Sequence, residues 1–249
     1  MQSKTMLTIA AALGTAAAAS AAVSVDFNVD QFGNPLVNGQ EVVSGAEFGS
    51  PFDISSPTAS RLAIFDTDPA GPNAGGPDTD LLVVGQGNAL IIQENSAYAQ
   101  TAESGVFDVP NDEASGGEIL FSFNSPAELL SLTLIDINGG SQTNVTLLDN
   151  TGLERRFNVP AKWTFDPDIA GNGFATLDLQ NLSPQFGEPG APGGAATATQ
   201  DAGFDQTAIV SMTVDFSGSG AIGSFEFIPA PGSAAFAAFA GLAATRRRR

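Results

Sequence analysis

The chain has 249 residues, with 27 acidic and nine basic side chains, no cysteine, no histidine and a formal charge of −18. Those absences remove Ser-His-Asp and Cys-His catalysis, conventional zinc centres and disulfide stabilisation, leaving carboxylates, hydroxyls, one Tyr and two Lys as chemical tools. Nucleic acid is not an expected partner, because phosphate binding needs clustered Lys and Arg, whereas so acidic a chain suits multivalent cations.

Residues 1–21 read as a signal peptide: Lys4 supplies the positive start, residues 6–19 the apolar run, and Ala19-Ser20-Ala21 the small-residue cleavage site. The cut is expected after Ala21 or Ala22. The body that follows, residues 22–228, holds all 27 acids but only Arg61, Arg155, Arg156 and Lys162 as bases, a formal charge of −23. An exported domain without disulfides has to rely on core packing, bound metal, or both.

Along the body, short runs rich in Val, Ile, Leu, Phe and Thr alternate with Gly, Pro, Asn and Asp clusters. Strands are predicted over 24–29, 61–65, 89–93, 118–123, 130–137, 144–148, 155–159, 174–179, 209–216 and 222–228. In the ninth, Val210, Met212, Val214 and Phe216 alternate with Ser211, Thr213 and Asp215, the period of two of a half-buried strand. About ten such strands without an amphipathic helix predict an all-β domain, an antiparallel sandwich or jelly roll. Phe121, Phe123, Phe216, Phe225 and Phe227 are expected on its inner faces. The Gly-, Ala- and Pro-rich stretch 184–203 reads as a flexible loop.

The acidic loop 66–80, "DTDPAGPNAGGPDTD", carries the sharpest site candidate. Asp66, Asp68, Asp78 and Asp80 can converge on a hard cation such as calcium, which takes six to eight oxygens in irregular geometry, and Glu94 can add another ligand. The Asp-x-Asp-x-Asp-Gly register of an EF-hand is missing. The other reading of the loop is a solvated one, in which its aspartates cap backbone amides in Asx-turns. Asp166 and Asp168 with Gly171, Asn172 and Gly173, and Asp136 with Asn138, read as turns between strands.

With 27 acids, a carboxylate pair at glycosidase spacing is expected by chance. Trp163 and Tyr98 are the only Trp and Tyr, however, so stacking surfaces for sugar are scarce. No enzyme is expected. Trp163 reads either as a buried strand aromatic or as the one candidate for ligand stacking, which keeps a calcium-dependent carbohydrate-binding module as an alternative, with a carboxylate-based glycoside hydrolase third.

The end of the chain, "IPAPGSAAFAAFAGLAATRRRR", resembles the C-terminal sorting signal of the PEP-CTERM family, in which a Pro-Glu-Pro-like box precedes a short hydrophobic helix and a basic terminus. The box is Pro229-Ala230-Pro231, with Ala230 where the family usually has Glu, and Arg246, Arg247, Arg248 and Arg249 form the basic cluster. The resemblance implies an exosortase-type enzyme as partner, cutting near the box. Residues 233–245 are short for a bilayer of roughly 30 Å, and four Arg would stay cytoplasmic. The expectation is a protein held briefly in the membrane by residues 229–249, then placed at the cell surface or in an extracellular polysaccharide matrix.

A second resemblance covers residues 65–229. The run "IFDTDPAGPNAGGPDTDLLVVGQGNALIIQEN", then "LTLIDINGG", then "VSMTVDFSGSGAIGSFEFIP" is similar to a recurrent β-sandwich of exported bacterial proteins that carry such tails. It brings no defined activity with it. The reading is a structural or adhesive surface protein stabilised by calcium.

Overall fold

The computed structural model describes residues 20–48, 51–57, 60–94, 105–137, 142–166 and 173–230. The predicted signal and C-terminal helices, the Arg cluster, Pro231, Tyr98, Asn138, Asp168, Gly171 and Asn172 lie outside them. Among the described residues there is no α-helix, and none long and apolar enough to cross a membrane. Ala21–Ala230 form one compact unit.

Thirteen strands make an all-β, entirely antiparallel structure: β1 (Val23–Val25), β2 (Glu41–Val42), β3 (Phe52–Ser55), β4 (Arg61–Asp66), β5 (Asn88–Gln93), β6 (Gly117–Ile135), β7 (Thr143–Asp149), β8 (Glu154–Val159), β9 (Phe174–Asp178), β10 (Gln185–Phe186), β11 (Ala195–Gln200), β12 (Ile209–Phe216) and β13 (Ala221–Pro229). The predicted strands 118–123 and 130–137 are one 19-residue strand, β6. Asn124, Ser125 and Pro126 lie within it and do not break it. Instead the strand carries on from one set of neighbours to another.

The first part of β6 pairs with β3 and β12, and from β12 the ladder runs through β7, β8 and β11 to β10. The second part pairs with β9 and β13, and from β13 the ladder runs through β5 and β4 to β2, with β1 also on β13. Register shifts on both partners, at Ile209/Ser211 of β12 and Glu226/Phe227 of β13, accompany this change of neighbours. Such bulges add local twist and let a strand turn a corner. The result is a β-sandwich-like arrangement in which both parts of β6 face one apolar core.

Alternation does the sorting. Phe121 and Phe123 of β6, Met212, Val214 and Phe216 of β12, and Phe225 and Phe227 of β13 all point into that core, as the period-two pattern predicts; Val210 is the exception, since the register shift at Ile209/Ser211 turns Ile209 inward in its place. Phe52 of β3 sits at its centre, with the rings of Phe225, Phe123, Phe227 and Phe121 at centroid distances of 5.3, 5.9, 6.0 and 6.1 Å. Edge-to-face contacts of this kind add to the burial of the rings.

The reading of 184–203 as a flexible loop is corrected by β10 and β11, the latter pairing with β8. Two of its glycines serve close packing. A Cβ on Gly187 would lie 2.0 Å from the Trp163 carbonyl oxygen and 2.8 Å from the indole, and one on Gly193 would lie 2.1 Å from the Ala161 carbonyl oxygen. The stretch lies against the backbone beneath it, which only glycine permits.

Phe52→Ala is expected to lose about 3–5 kcal/mol in urea denaturation, the range for emptying a packed aromatic site. Phe32→Ala, at a ring 79% exposed, is expected to stay within about 0.5 kcal/mol of wild type.

Candidate functional site

β4 and β5 are joined by residues 67–87, which fold back over the outer face of their own sheet. Leu81 and Val83 from this loop pack with Ala63, Phe65, Ala89, Ile91, Phe107, Ile135 and Ala221 in a second apolar cluster. The neck is closed by Thr67, whose N–H donates to Gly87 O at 3.0 Å while its carbonyl accepts from Val83 N at 2.8 Å. Because Leu81 has to be buried, the residues just before it are drawn inward too. Asp78, only 6% exposed, leads into the 3₁₀ turn Thr79–Leu81.

Asp112 meets it there. The segment 105–113 runs beside β5, held by Glu94 N donating to Asn111 O at 2.9 Å, Glu113 N to Ile92 O at 2.8 Å, and Gln93 Nε2 to Val109 O at 3.3 Å. Asp112 N donates to Asp78 Oδ2 at 2.9 Å. The Asp112 carboxylate accepts from Gly220 N at 2.7 Å on the β12–β13 hairpin.

Ser219 of that hairpin links a further acid. Its Oγ stands 2.6 Å from Asp112 Oδ2 and 2.5 Å from Asp136 Oδ2. A hydroxyl carries one hydrogen, so it can donate to only one of these oxygens and must accept from the other. One of the two carboxyls is therefore protonated, or a cation takes up the charge. Asp136 is fully buried at the end of β6, with φ at +57°, a left-handed conformation that Asp adopts more readily than most residues. The adjoining Ile137 N donates to Thr164 Oγ1 at 2.7 Å, which braces the turn.

Burial drives the Asp78 carboxyl far above its ordinary value, to about 10, and the Asp112 charge and contact with Asp80 add to the shift. The Asp112 carboxyl is also raised, again chiefly by burial, against the hydrogen bonds from Ser219 and Gly220. Asp149 shows the opposite outcome. Burial opposes its charge, but donors at Asp205 N, Thr151 Oγ1, Leu153 N and Thr151 N, at 2.7–3.0 Å, outweigh it and hold the carboxyl well below the usual range. Buried acids are stable when donors surround them and are driven to protonate when other acids do.

Of the residues expected as metal ligands, Asp78 and Asp80 come together with Asp112 and with the Ser219–Asp136 pair. Asp66 and Asp68 do something else: they accept from Asp68 N and Ala70 N, each at 2.9 Å, as Asx-turns. Glu94 accepts from Asn111 Nδ2 and so anchors the residue next to Asp112. Among the described residues no three acids stand ready-made around a metal position. The described arginines are engaged elsewhere: Arg61 with Glu41, Arg156 with Glu154, and Arg155 with Gln200 and the Leu179 carbonyl.

Asp112 and Ser219 were missed because one lies in an undistinguished loop and the other in a Ser-Gly turn. Asp136 was taken for a simple hairpin residue. The run "DTDL", the strand end "LID" and the hairpin "SGSGAI", quoted separately from the sequence, are neighbours in space.

Trp163 is corrected as a stacking residue. It is fully buried, and its indole N–H donates to Gln185 O at 3.0 Å beneath the segment that carries Gly187. No family model matches the chain, and no curated protein matches it in sequence.

The pKa directions set a pH profile for the protein in chelator. An acid whose value is raised on folding stabilises the folded state below the ordinary carboxylate value near 4, and that stability is lost as pH rises toward about 10. Asp149 works the other way, its contribution being lost as pH falls below about 4. Chelated protein is expected to be most stable in mild acid and to weaken toward pH 9, by up to about 1.4 kcal/mol per pH unit for one proton. Asp78→Asn should flatten the alkaline limb, as read by urea denaturation at each pH; an unchanged limb contradicts the assignment.

Proposed function

We propose that this is an exported, non-catalytic β-sandwich of jelly-roll type, sorted to the cell surface or an extracellular matrix, with a structural or adhesive role and a calcium ion as counter-charge for its buried acids. The observation that carries the calcium reading is the gathering of Asp78, Asp80 and Asp112 with Asp136 behind Ser219. These are hard oxygen donors, the type calcium selects. Asp78, Asp80 and Asp112 would hold the ion, with Asp136 and Ser219 supporting. A bound ion would replace the shared protons and join the β4–β5 loop, segment 105–113 and the β12–β13 hairpin.

Asp66, Asp68 and Glu94 move to a supporting part in this reading. They shape the loop and place Asn111 rather than binding the ion. The burial of Trp163 weighs against the carbohydrate-binding alternative, since no other Trp is present to stack on a sugar ring. An acid pair without an open aromatic cleft gives glycoside hydrolysis equally little support.

The sorting part of the reading rests on the signal-like start and on the tail with its Pro229-Ala230-Pro231 box and terminal Arg cluster. The limits of the compact unit agree with it. β13 pairs with β6 as far as Pro229, and Ala230 N donates to Pro126 O at 3.0 Å. The β13 pairing thus reaches into the box, and in this reading an exosortase-type enzyme in the membrane would act on the tail there.

Melting at pH 7.5 in millimolar calcium and in excess chelator tests the ion. Calcium at 100 times its Kd is expected to add about 2.7 kcal/mol, with a matching rise in Tm. Asp68→Asn should keep the shift and Asp78→Asn should abolish it. Equal Tm in calcium and chelator for the wild type would refute the calcium reading.

A further inference from the structure

A cavity of about 700 Å³ opens beside the acidic loop, on the side away from the Phe core. Its walls are Leu82, Val83, Val84 and Phe174, and its charged groups are Asp166 and Glu188. No Lys or Arg is among the described residues that line it. We propose that this cavity is a binding site for a small organic cation with an apolar body, of the alkylammonium or arylalkylammonium class.

The size lies within the range of ligand cavities, roughly 300–1,000 Å³. Two carboxylates and no base reject an anion. A sugar fits poorly, since against apolar walls most of its hydroxyls would lose water without gaining partners. A neutral hydrocarbon would fill the walls but strip water from Glu188 with nothing in return. An ammonium head with a hydrocarbon body satisfies both surfaces at once.

The two acids are held close to each other by the fold. A Cβ placed on Gly173, where φ is +65°, would lie 3.3 Å from Asp166 Cβ and 3.4 Å from Glu188 Cγ, so the side-chain stems flank this glycine. Glu188 N donates to Trp163 O at 3.1 Å, which fixes the backbone under its side chain. Burial first, then the Asp166 charge, raise the Glu188 carboxyl above its ordinary value. A cation at this point relieves both causes. Val84 is 80% exposed at the rim, an apolar side chain left in water beside the opening.

The site stands apart from the calcium reading: it uses other acids and is tested with calcium present throughout. The test is calorimetric titration of the full chain at pH 8 with octylammonium, with octanoate and octanol as matched probes of opposite and zero charge. Saturable octylammonium binding is expected, about tenfold or more tighter than octanol, with no binding of octanoate. Glu188→Gln should weaken octylammonium by about tenfold and leave octanol unchanged. Val84→Arg, at an exposed position that the fold tolerates, should weaken it as well. Octanoate or octanol binding as tightly as octylammonium, wild-type affinity in Glu188→Gln, or the absence of saturable heat would overturn the proposal.

Discussion

Asp78 and Asp112 lie 34 positions apart in the chain, yet the main-chain N–H of one donates to the carboxylate of the other inside the protein. Two buried carboxyls at contact cannot both stay ionised without a counter-charge, because removing them from water costs several kcal/mol each and their repulsion adds to it. Everything around the pair answers that constraint. Ser219 and Gly220 donate to Asp112, Asp136 shares Ser219, and Asp80 closes the group. The β4–β5 loop, segment 105–113 and the β12–β13 hairpin are joined at this point.

Why the chain accepts such a cluster follows from its composition. Without cysteine it cannot staple long loops covalently, and 21 residues between β4 and β5 are a long connection for a compact domain. Leu81 and Val83 give the loop an apolar foothold on the outer face of the sheet. Acids behind that foothold convert it into a junction whose strength depends on what neutralises them. Asp149 shows that the same fold can also bury a carboxylate with nothing but hydrogen-bond donors. Backbone and hydroxyl donors surround Asp149, whereas Asp78 and Asp112 face each other and Asp80.

The sheet was largely legible in the sequence and the site only in half. Alternation in 209–216 and 222–228 placed Met212, Val214, Phe225 and Phe227 on the inner face, because burial of one face imposes a period of two whatever the neighbours are. Strand β11 was not legible. "AATATQ" has little apolar signal, and it is ordered by pairing with β8 and by Gly187 and Gly193 closing over Trp163, which are long-range facts. The same holds at the site: Asp78 and Asp80 stand out in an acid-rich run, but nothing local marks Asp112, Ser219 or Asp136. Their importance comes from register between strands distant in sequence. Of the two readings of Trp163, the buried aromatic holds, because the Gly-rich segment is laid on top of it.

The central claim is that a cation belongs between Asp78, Asp80 and Asp112. A crystal structure of the protein grown in calcium tests it most directly, through the anomalous signal and the ligand distances. The account predicts a peak bound by oxygens of these three residues at roughly 2.3–2.6 Å, with the direct contact between the Asp78 and Asp112 carboxyls opened to admit it. A map in which the two carboxyls remain against each other, with no ion between them at millimolar calcium, would contradict it.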